Sequence, residues 1–138
     1  MMNRIVVLDT NCLIQALPSG SKYHIIWTEF LFGSYNLCVS NEILSEYEEI
    51  ISRLSSATIA HSIVEAIVRN PNTIFKNPFF RFQLIEQDPD DNKFVDCAII
   101  GQADYVVSED NHFNVLKDIP FPSVRVISLD DFLNSLKK

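Results

Sequence analysis

The stretch Ile5-Val6-Val7-Leu8-Asp9-Thr10-Asn11 decides the fold class, because an uninterrupted apolar run ends there on a carboxylate. A short apolar run without alternation is typical of a strand buried on both faces, as in a parallel sheet. Similar runs at 35–39, 105–107 and 124–127 predict three more strands, and the alternating stretch 82–85 predicts another. The sequence therefore predicts a sheet made largely of buried, parallel strands.

Helical patterns lie between these strands. The clearest begins at Ser40 and Asn41, both favourable caps, and continues as an apolar stripe that includes Ile43, Tyr47 and Ile50. Further helices are predicted over 23–32, over 58–68, from Asp88-Pro89 to Gln102, and from Ser128 to Lys137-Lys138, with a mobile loop over 70–81. Alternating strands and helices predict one α/β domain over 1–138, with a mainly parallel central sheet of about five strands flanked by helices.

Composition limits the function classes. No apolar run approaches the roughly 20 residues of a membrane-spanning helix, and the N-terminus does not resemble a signal peptide. The three cysteines are widely spaced and odd in number, which favours a reducing cytoplasm over a disulfide framework or a zinc site. The net charge of −7 disfavours nucleic-acid binding, unless some of the acids hold metal ions that reverse the local field.

Three acids stand out by position. Asp9 ends the first strand and Asp110 closely follows the strand 105–107, so both are expected at the carboxyl edge of the sheet, where open α/β sheets bind ligands. The alternative for each is an ordinary turn or cap role. Asp96 lies inside the apolar stretch 94–100, where a charge is costly unless it is paired or bound to metal. Its alternative is a surface position paired with Lys93.

The helix that follows Ser40 carries several glutamates, and their positions alone do not identify a functional one. Glu46 and Glu48 lie on the two borders of the apolar stripe. Either could face a cleft, and a solvated helix face is the ordinary interpretation for both.

Four segments together resemble the PIN-domain family. They are Val7–Asn11, Ser40–Tyr47, Asp90–Ala98, and Ala103–Asp110 with His112-Phe113 after it. They occur in the family's order, and the strands and helices predicted around them agree with it. The resemblance implies a three-layer PIN-like (Rossmann-like) fold, and the closest subgroup comprises bacterial toxins of toxin–antitoxin pairs.

The resemblance also implies a site and a reaction. It assigns the metal-binding and catalytic carboxylates to Asp9, Glu46, Asp96 and Asp110, and it gives Asn11 and Ser108 the role of orienting that site. The implied activity is hydrolysis of RNA by a ribonuclease that uses Mg²⁺ or Mn²⁺. Asp91 is a candidate for an extra acid, although capping of its helix is the preferred interpretation. The family pattern thus implies Glu46 rather than Glu48.

Other groups near this site receive weaker expectations. The RNA-binding cations are expected to be Lys22, Lys76, Arg81 and Lys93, and His112 is a candidate proton donor or an ordinary loop histidine. An antitoxin or a second copy of the chain is expected on apolar residues of the helical hairpin over 42–69.

Two other functions remain open. A catalytically silent PIN-like module would bind RNA or protein without cutting. A phosphatase of the haloacid-dehalogenase type also places an Asp after strand one, but it requires a second Asp where this chain has Asn11. A response-regulator receiver fits less well, because it needs acids where this chain has Val7-Leu8.

Overall fold

The computed structural model describes residues 4–79, 81–85 and 89–137. Its central sheet has five strands in the order β3-β2-β1-β4-β5, and each neighbouring pair is parallel. The strands are β1 (Ile5–Leu8), β2 (Asn36–Val39), β3 (Thr73–Phe75), β4 (Tyr105–Val107) and β5 (Val126–Ile127). The prediction of a parallel α/β sheet is confirmed. Strand order changes direction between β1 and β4, which makes the carboxyl ends of these two strands the expected ligand-binding crevice.

Six helices flank the sheet. They are α1 (Thr10–Ala16), α2 (His24–Phe32), α3 (Asn41–Leu54), α4 (Ala57–Arg69), α5 (Asn92–Gly101) and α6 (Leu129–Leu136), with 3₁₀ segments at Pro89–Asp91 and Asn111–Asp118. Helix α5 packs on β1, β2 and β4, α3 packs along α4, and α2 packs on α6. None of the helices in the described ranges is long and apolar enough to cross a membrane.

The caps predicted for α3 form as expected. The Ser40 hydroxyl accepts a hydrogen bond from the Ile43 amide, which satisfies one of the unpaired donors at the helix start. Along α3 the buried residues Ile43, Tyr47 and Ile51 form the inner face. This packing fixes which face of α3 turns toward the sheet, and hence where its glutamates point.

Two sequence predictions about secondary structure were wrong, and one helix was missed. Residues 70–81 contain β3, an edge strand, whereas 82–85 form no strand and cross above α5 instead. The short helix α1, directly after Asp9, was not predicted. The predicted start of α5 at Asp88 lies outside the described residues, and Pro89 begins a 3₁₀ turn that leads into the helix.

The core fixes α5 closely against the sheet. A Cβ atom on Gly101 would come within 2.5 Å of Cys38 Sγ, so glycine is what lets the end of α5 approach β2. Near the same contact, the Sγ atoms of Cys38 and Cys97 lie 3.6 Å apart, and both thiols are buried and free. The position of the C-terminal half of α5 is therefore set by close packing on β2.

Candidate metal centre

Asp9 lies at the carboxyl end of β1 and is almost fully buried. Its amide donates to the Val107 carbonyl, which continues the β1–β4 pairing one residue past the strand. Its carboxylate does not cap α1, although the chain turns into that helix at Thr10. Burial raises the pKa of Asp9, and the negative charges of Asp110 and Glu46 raise it further, against the lowering effect of hydrogen bonds from Ser108 and Thr10. A cation beside Asp9 would offset this electrostatic cost.

Ser108 links Asp9 to Asp110. The Ser108 hydroxyl donates to Asp9 Oδ2 over 2.9 Å and accepts the Asp110 amide at 3.0 Å. This bridge joins the ends of β1 and β4, and the orienting role of Ser108 stays a prediction. The Asp110 carboxylate also accepts the His112 amide at 2.9 Å. Asp110 therefore caps the 3₁₀ segment that follows it and also lies next to Ser108 and Asp9.

Glu46 reaches the same edge from α3. The Tyr47 hydroxyl donates to the Leu8 carbonyl over 2.6 Å and so anchors α3 to the end of β1. One oxygen of Glu46 accepts a hydrogen bond from the Thr10 hydroxyl, and the other lies 2.8 Å from the Lys93 ammonium. Glu48, the other border position, is exposed. Thr10 was not among the predicted site residues, and its place between Asp9 and Asn11 in the first motif is the only sequence signal for it.

A compact donor cluster forms where the start of α5 meets the loop after β4. One ligand atom from each of Asp91, Asp110 and His112 lies within 4.8 Å of the other two. His112 Nδ1 is 3.3 Å from both Asp91 Oδ2 and Asp110 Oδ1. Asp91 is buried, and its side chain makes no capping hydrogen bond, contrary to the preferred sequence interpretation. The carboxylates of Asp9, Glu46, Asp91 and Asp110 at this side of the sheet are called the acidic edge below. His112 is therefore part of the acidic edge rather than an ordinary loop histidine.

The structure does not bring Asp96 to this cluster. Asp96 Oδ1 accepts the Phe82 amide at 3.2 Å, and the charges that act on its carboxylate are those of Arg81 and Glu42. Burial raises the pKa of Asp96, the Phe82 amide and Arg81 lower it, and Glu42 raises it. The alternative of a surface pair with Lys93 does not hold either, because Asp96 is buried and Lys93 pairs with Glu46. Asp96 is not among the donors of that cluster, and its expected place beside Asp9, Glu46 and Asp110 stays a prediction.

A comparison with protein families identifies the domain that carries these acids. A family model described as the PIN domain matches residues 5–112. The chain belongs to the PIN-domain family. PIN domains are generally nucleases, so the family assignment points to a nuclease and sets aside the phosphatase and receiver alternatives.

A solved structure shares the fold. The crystal structure of VapBC2 from Rickettsia felis, bound to a DNA fragment from its promoter, is similar with a TM-score of 0.62 at 18% identity. The alignment covers 90% of this chain and 98% of that chain. None of the curated proteins matches this PIN-domain chain significantly in sequence.

The donor set of this PIN domain fits a hard divalent ion. Mg²⁺ and Mn²⁺ prefer carboxylate oxygens, and Asp9, Asp91 and Asp110 offer such oxygens from three separate segments of the chain. The buried position of Asp9 and the crowding of negative charge around it make a bound cation favourable.

The remaining residues predicted for the site differ in their exposure to solvent. Asn11 is exposed on the first turn of α1. Lys76 is exposed directly after β3, and Lys22 and Arg81 are exposed partners of Asp130 and Glu42. Lys93, by contrast, turns inward toward Glu46. Sequence reasoning missed Lys117, which lines a polar cavity of about 320 Å³ beside Asp110.

Proposed function

We propose that this PIN domain is a metal-dependent endoribonuclease whose ion is held by Asp9, Asp91 and Asp110, with Glu46 completing the acidic edge. The observation that carries the proposal is that Asp110 has an acid on each side: a ligand atom of Asp91 lies within 4.8 Å of it, and Ser108 bridges it to Asp9. Asp91 here takes the place of Asp96, whose carboxylate accepts the Phe82 amide and is influenced by the charge of Arg81.

The residues of the chain have separate tasks in this proposal. A bound Mg²⁺ or Mn²⁺ would supply hydroxide at neutral pH and offset the charge of the phosphodiester. Ser108 fixes Asp9 relative to Asp110 by hydrogen bonds to the Asp9 carboxylate and the Asp110 amide, and Thr10 orients Glu46. His112 lies against Asp91 and Asp110 and so restrains both carboxylates. The exposed cations Lys22, Lys76 and Arg81, together with Lys117, are the proposed contacts for the RNA backbone.

The activity is tested with a fluorescent single-stranded RNA and a DNA of the same sequence. We expect cleavage of the RNA in Mn²⁺ or Mg²⁺, none in EDTA, and none by Asp9→Asn. Glu48→Gln serves as the matched control, because it removes an exposed acid beside Glu46. Metal binding without cleavage of either substrate would favour the catalytically silent module.

We further propose that the chain is the toxin of a toxin–antitoxin pair that acts in the cytoplasm. The similarity to VapBC2 supports an antitoxin partner. An apolar groove of about 350 Å³ between α1, α3 and α4 suits the apolar face of an amphipathic helix. Its apolar lining comprises Ile14, Leu17, Ile51, Leu54, Ile59 and Ile63. Glu48, exposed about one turn before Ile51 on α3, favours a basic residue on the partner helix.

The partner is tested by co-expressing the chain with the short reading frame next to its gene. Wild type should co-purify with that product, and a variant with Leu54→Asp and Ile59→Asp should not. Val68→Asp is the matched control, because it adds a charge to an exposed apolar position of α4 outside the groove lining. Loss of self-association in the double variant, with no antitoxin bound by wild type, would instead assign the groove to a homodimer.

A further inference from the structure

Lys93 is held inside the acidic edge rather than on the protein surface. Its ammonium lies 2.8 Å from Glu46 Oε1 and 2.5 Å from the Asp90 carbonyl oxygen. Its Nζ atom also lies 5.3 Å from the centroid of the Phe94 ring. The Lys93 side chain is only 13% exposed, which is a costly position for an ammonium unless strong partners replace its water.

Other ion pairs of the described residues look different. Four of them, Lys22–Asp130, Arg53–Glu49, Arg69–Glu65 and Arg81–Glu42, have cations whose side chains are at least 62% exposed. Such exposed pairs contribute little and are easily broken. Lys93 is withdrawn from water and has a carboxylate and a carbonyl as fixed partners, so its position is built into the fold.

The position of Lys93 matters because Glu46 belongs electrostatically to the metal centre. Its charge acts on Asp9, as does that of Asp110. Both oxygens of Glu46 are already engaged, one by the Thr10 hydroxyl and the other by the Lys93 ammonium. A divalent ion on the same oxygen as Lys93 would meet a fixed positive charge at contact distance, which is strongly unfavourable in a partly buried site.

We propose that Lys93 takes the place of a second divalent ion at Glu46, so that the centre binds one metal ion through its aspartates and keeps a lysine as its permanent second cation. The inference rests on the proposed metal centre and deepens it by fixing the number of ions. Lys93 is in this sense a positioning residue, because it acts on Glu46 and on the charge balance of the edge.

The test counts the metal ions bound per chain. Calorimetric titration with MnCl₂ should give one ion for wild type and two for Lys93→Met, which keeps an apolar stem but removes the charge. Lys93→Arg should bind one ion. Lys22→Met is the matched control, because it removes a lysine from an exposed ion pair and should also bind one. If Lys93→Met does not fold, Lys93→Gln, which retains a hydrogen-bond donor, is titrated in its place.

The outcomes separate this inference from the proposed function. Two ions in wild type, or one ion of unchanged affinity in Lys93→Met, would overturn the role of Lys93 and leave the metal centre standing. No ion in wild type but one in Lys93→Met would support Lys93 as the resident cation and overturn the proposed nuclease centre. Absence of binding in both would overturn both proposals.

A second readout needs no metal. In EDTA, Lys93→Met should melt below wild type, because the edge loses its internal cation, and adding Glu46→Gln should recover part of that loss. Equal melting temperatures for wild type and Lys93→Met in EDTA would also count against the proposal.

Discussion

Asp91 and Asp96 lie on the same segment of the chain, at the start and in the middle of α5, but their carboxylates have different partners. Asp91 stands at the start of α5, where its carboxylate meets His112 beside Asp110. Asp96 stands in the middle of the helix, where the Phe82 amide and the charge of Arg81 satisfy it. Both residues are buried, so burial alone does not separate a ligand from a structural acid. The difference lies in the partners: Asp91 shares His112 with Asp110 in a cluster of ligand atoms, and Asp96 accepts the Phe82 amide outside that cluster.

The largest expected difference between the two acids is in catalysis. Asp91→Asn should lower the rate of RNA cleavage in Mn²⁺ by about 100-fold or more, because loss of even an outer partner of a metal ligand costs about 10–100-fold. Asp96→Asn should stay within about threefold of wild type, since it touches no reacting group. Single-turnover rates at saturating Mn²⁺ measure this. The reverse order of effects would restore Asp96 to the site.

Metal-induced stabilisation sharpens the same comparison without catalysis. At an ion concentration about 100 times the dissociation constant, binding stabilises the folded state by about 2.7 kcal/mol. Wild type and Asp96→Asn should therefore melt about 8 °C higher in Mn²⁺ than in EDTA, on the usual scale for a chain of this length. Asp91→Asn should show almost no shift. Scanning fluorimetry measures these melting temperatures. If Asp91→Asn showed the same increase in melting temperature as wild type, Asp91 would not be a metal ligand.

The smallest expected effect is the pH dependence of stability at Asp96. Its pKa is raised in the folded protein, so the folded state binds a proton more readily than the unfolded chain does. Stability is therefore lost as pH rises from the ordinary Asp value through the raised one, and the penalty remains at neutral pH. Asp96→Asn should be more stable than wild type at pH 7 by about 1 kcal/mol, with the gain shrinking toward pH 4.

Urea unfolding of both proteins at a series of pH values measures this difference. Asp104→Asn, an exposed position whose carboxylate accepts the Ile5 amide, provides a comparison with an acid outside the acidic edge. A gain at Asp96→Asn that does not depend on pH would mean that the effect is not electrostatic.

The sequence predicted most of the sheet because its central strands are buried on both faces. The runs at β1, β2 and β4 are continuous and apolar, which is the pattern of inner parallel strands. The sequence did not predict β3, because β3 is a three-residue edge strand whose side chains are only half-buried. It therefore has neither a continuous apolar run nor strict alternation. The sequence did not predict α1 either, because its seven residues begin directly at the motif that ends β1.

The acids that follow strands could be predicted from the sequence, whereas the choice between the two acids of α5 could not. Asp9 follows β1 directly and Asp110 comes shortly after β4, so their meeting at one edge follows from the order of elements. The choice between Asp91 and Asp96 depends on where the segment 81–85 crosses α5, because that segment supplies the amide that occupies Asp96. Such a long-range contact leaves no local signal in the sequence.

The most direct test of the account is the position of a bound ion. We expect anomalous diffraction from a crystal grown with Mn²⁺ to show one peak within about 2.5 Å of oxygens from Asp9, Asp91 and Asp110. The Lys93 ammonium should remain on Glu46, and Asp96 should remain on the Phe82 amide. A peak coordinated by Asp96, or no peak at the β1–β4 edge with Mn²⁺ at millimolar concentration, would contradict the proposed centre.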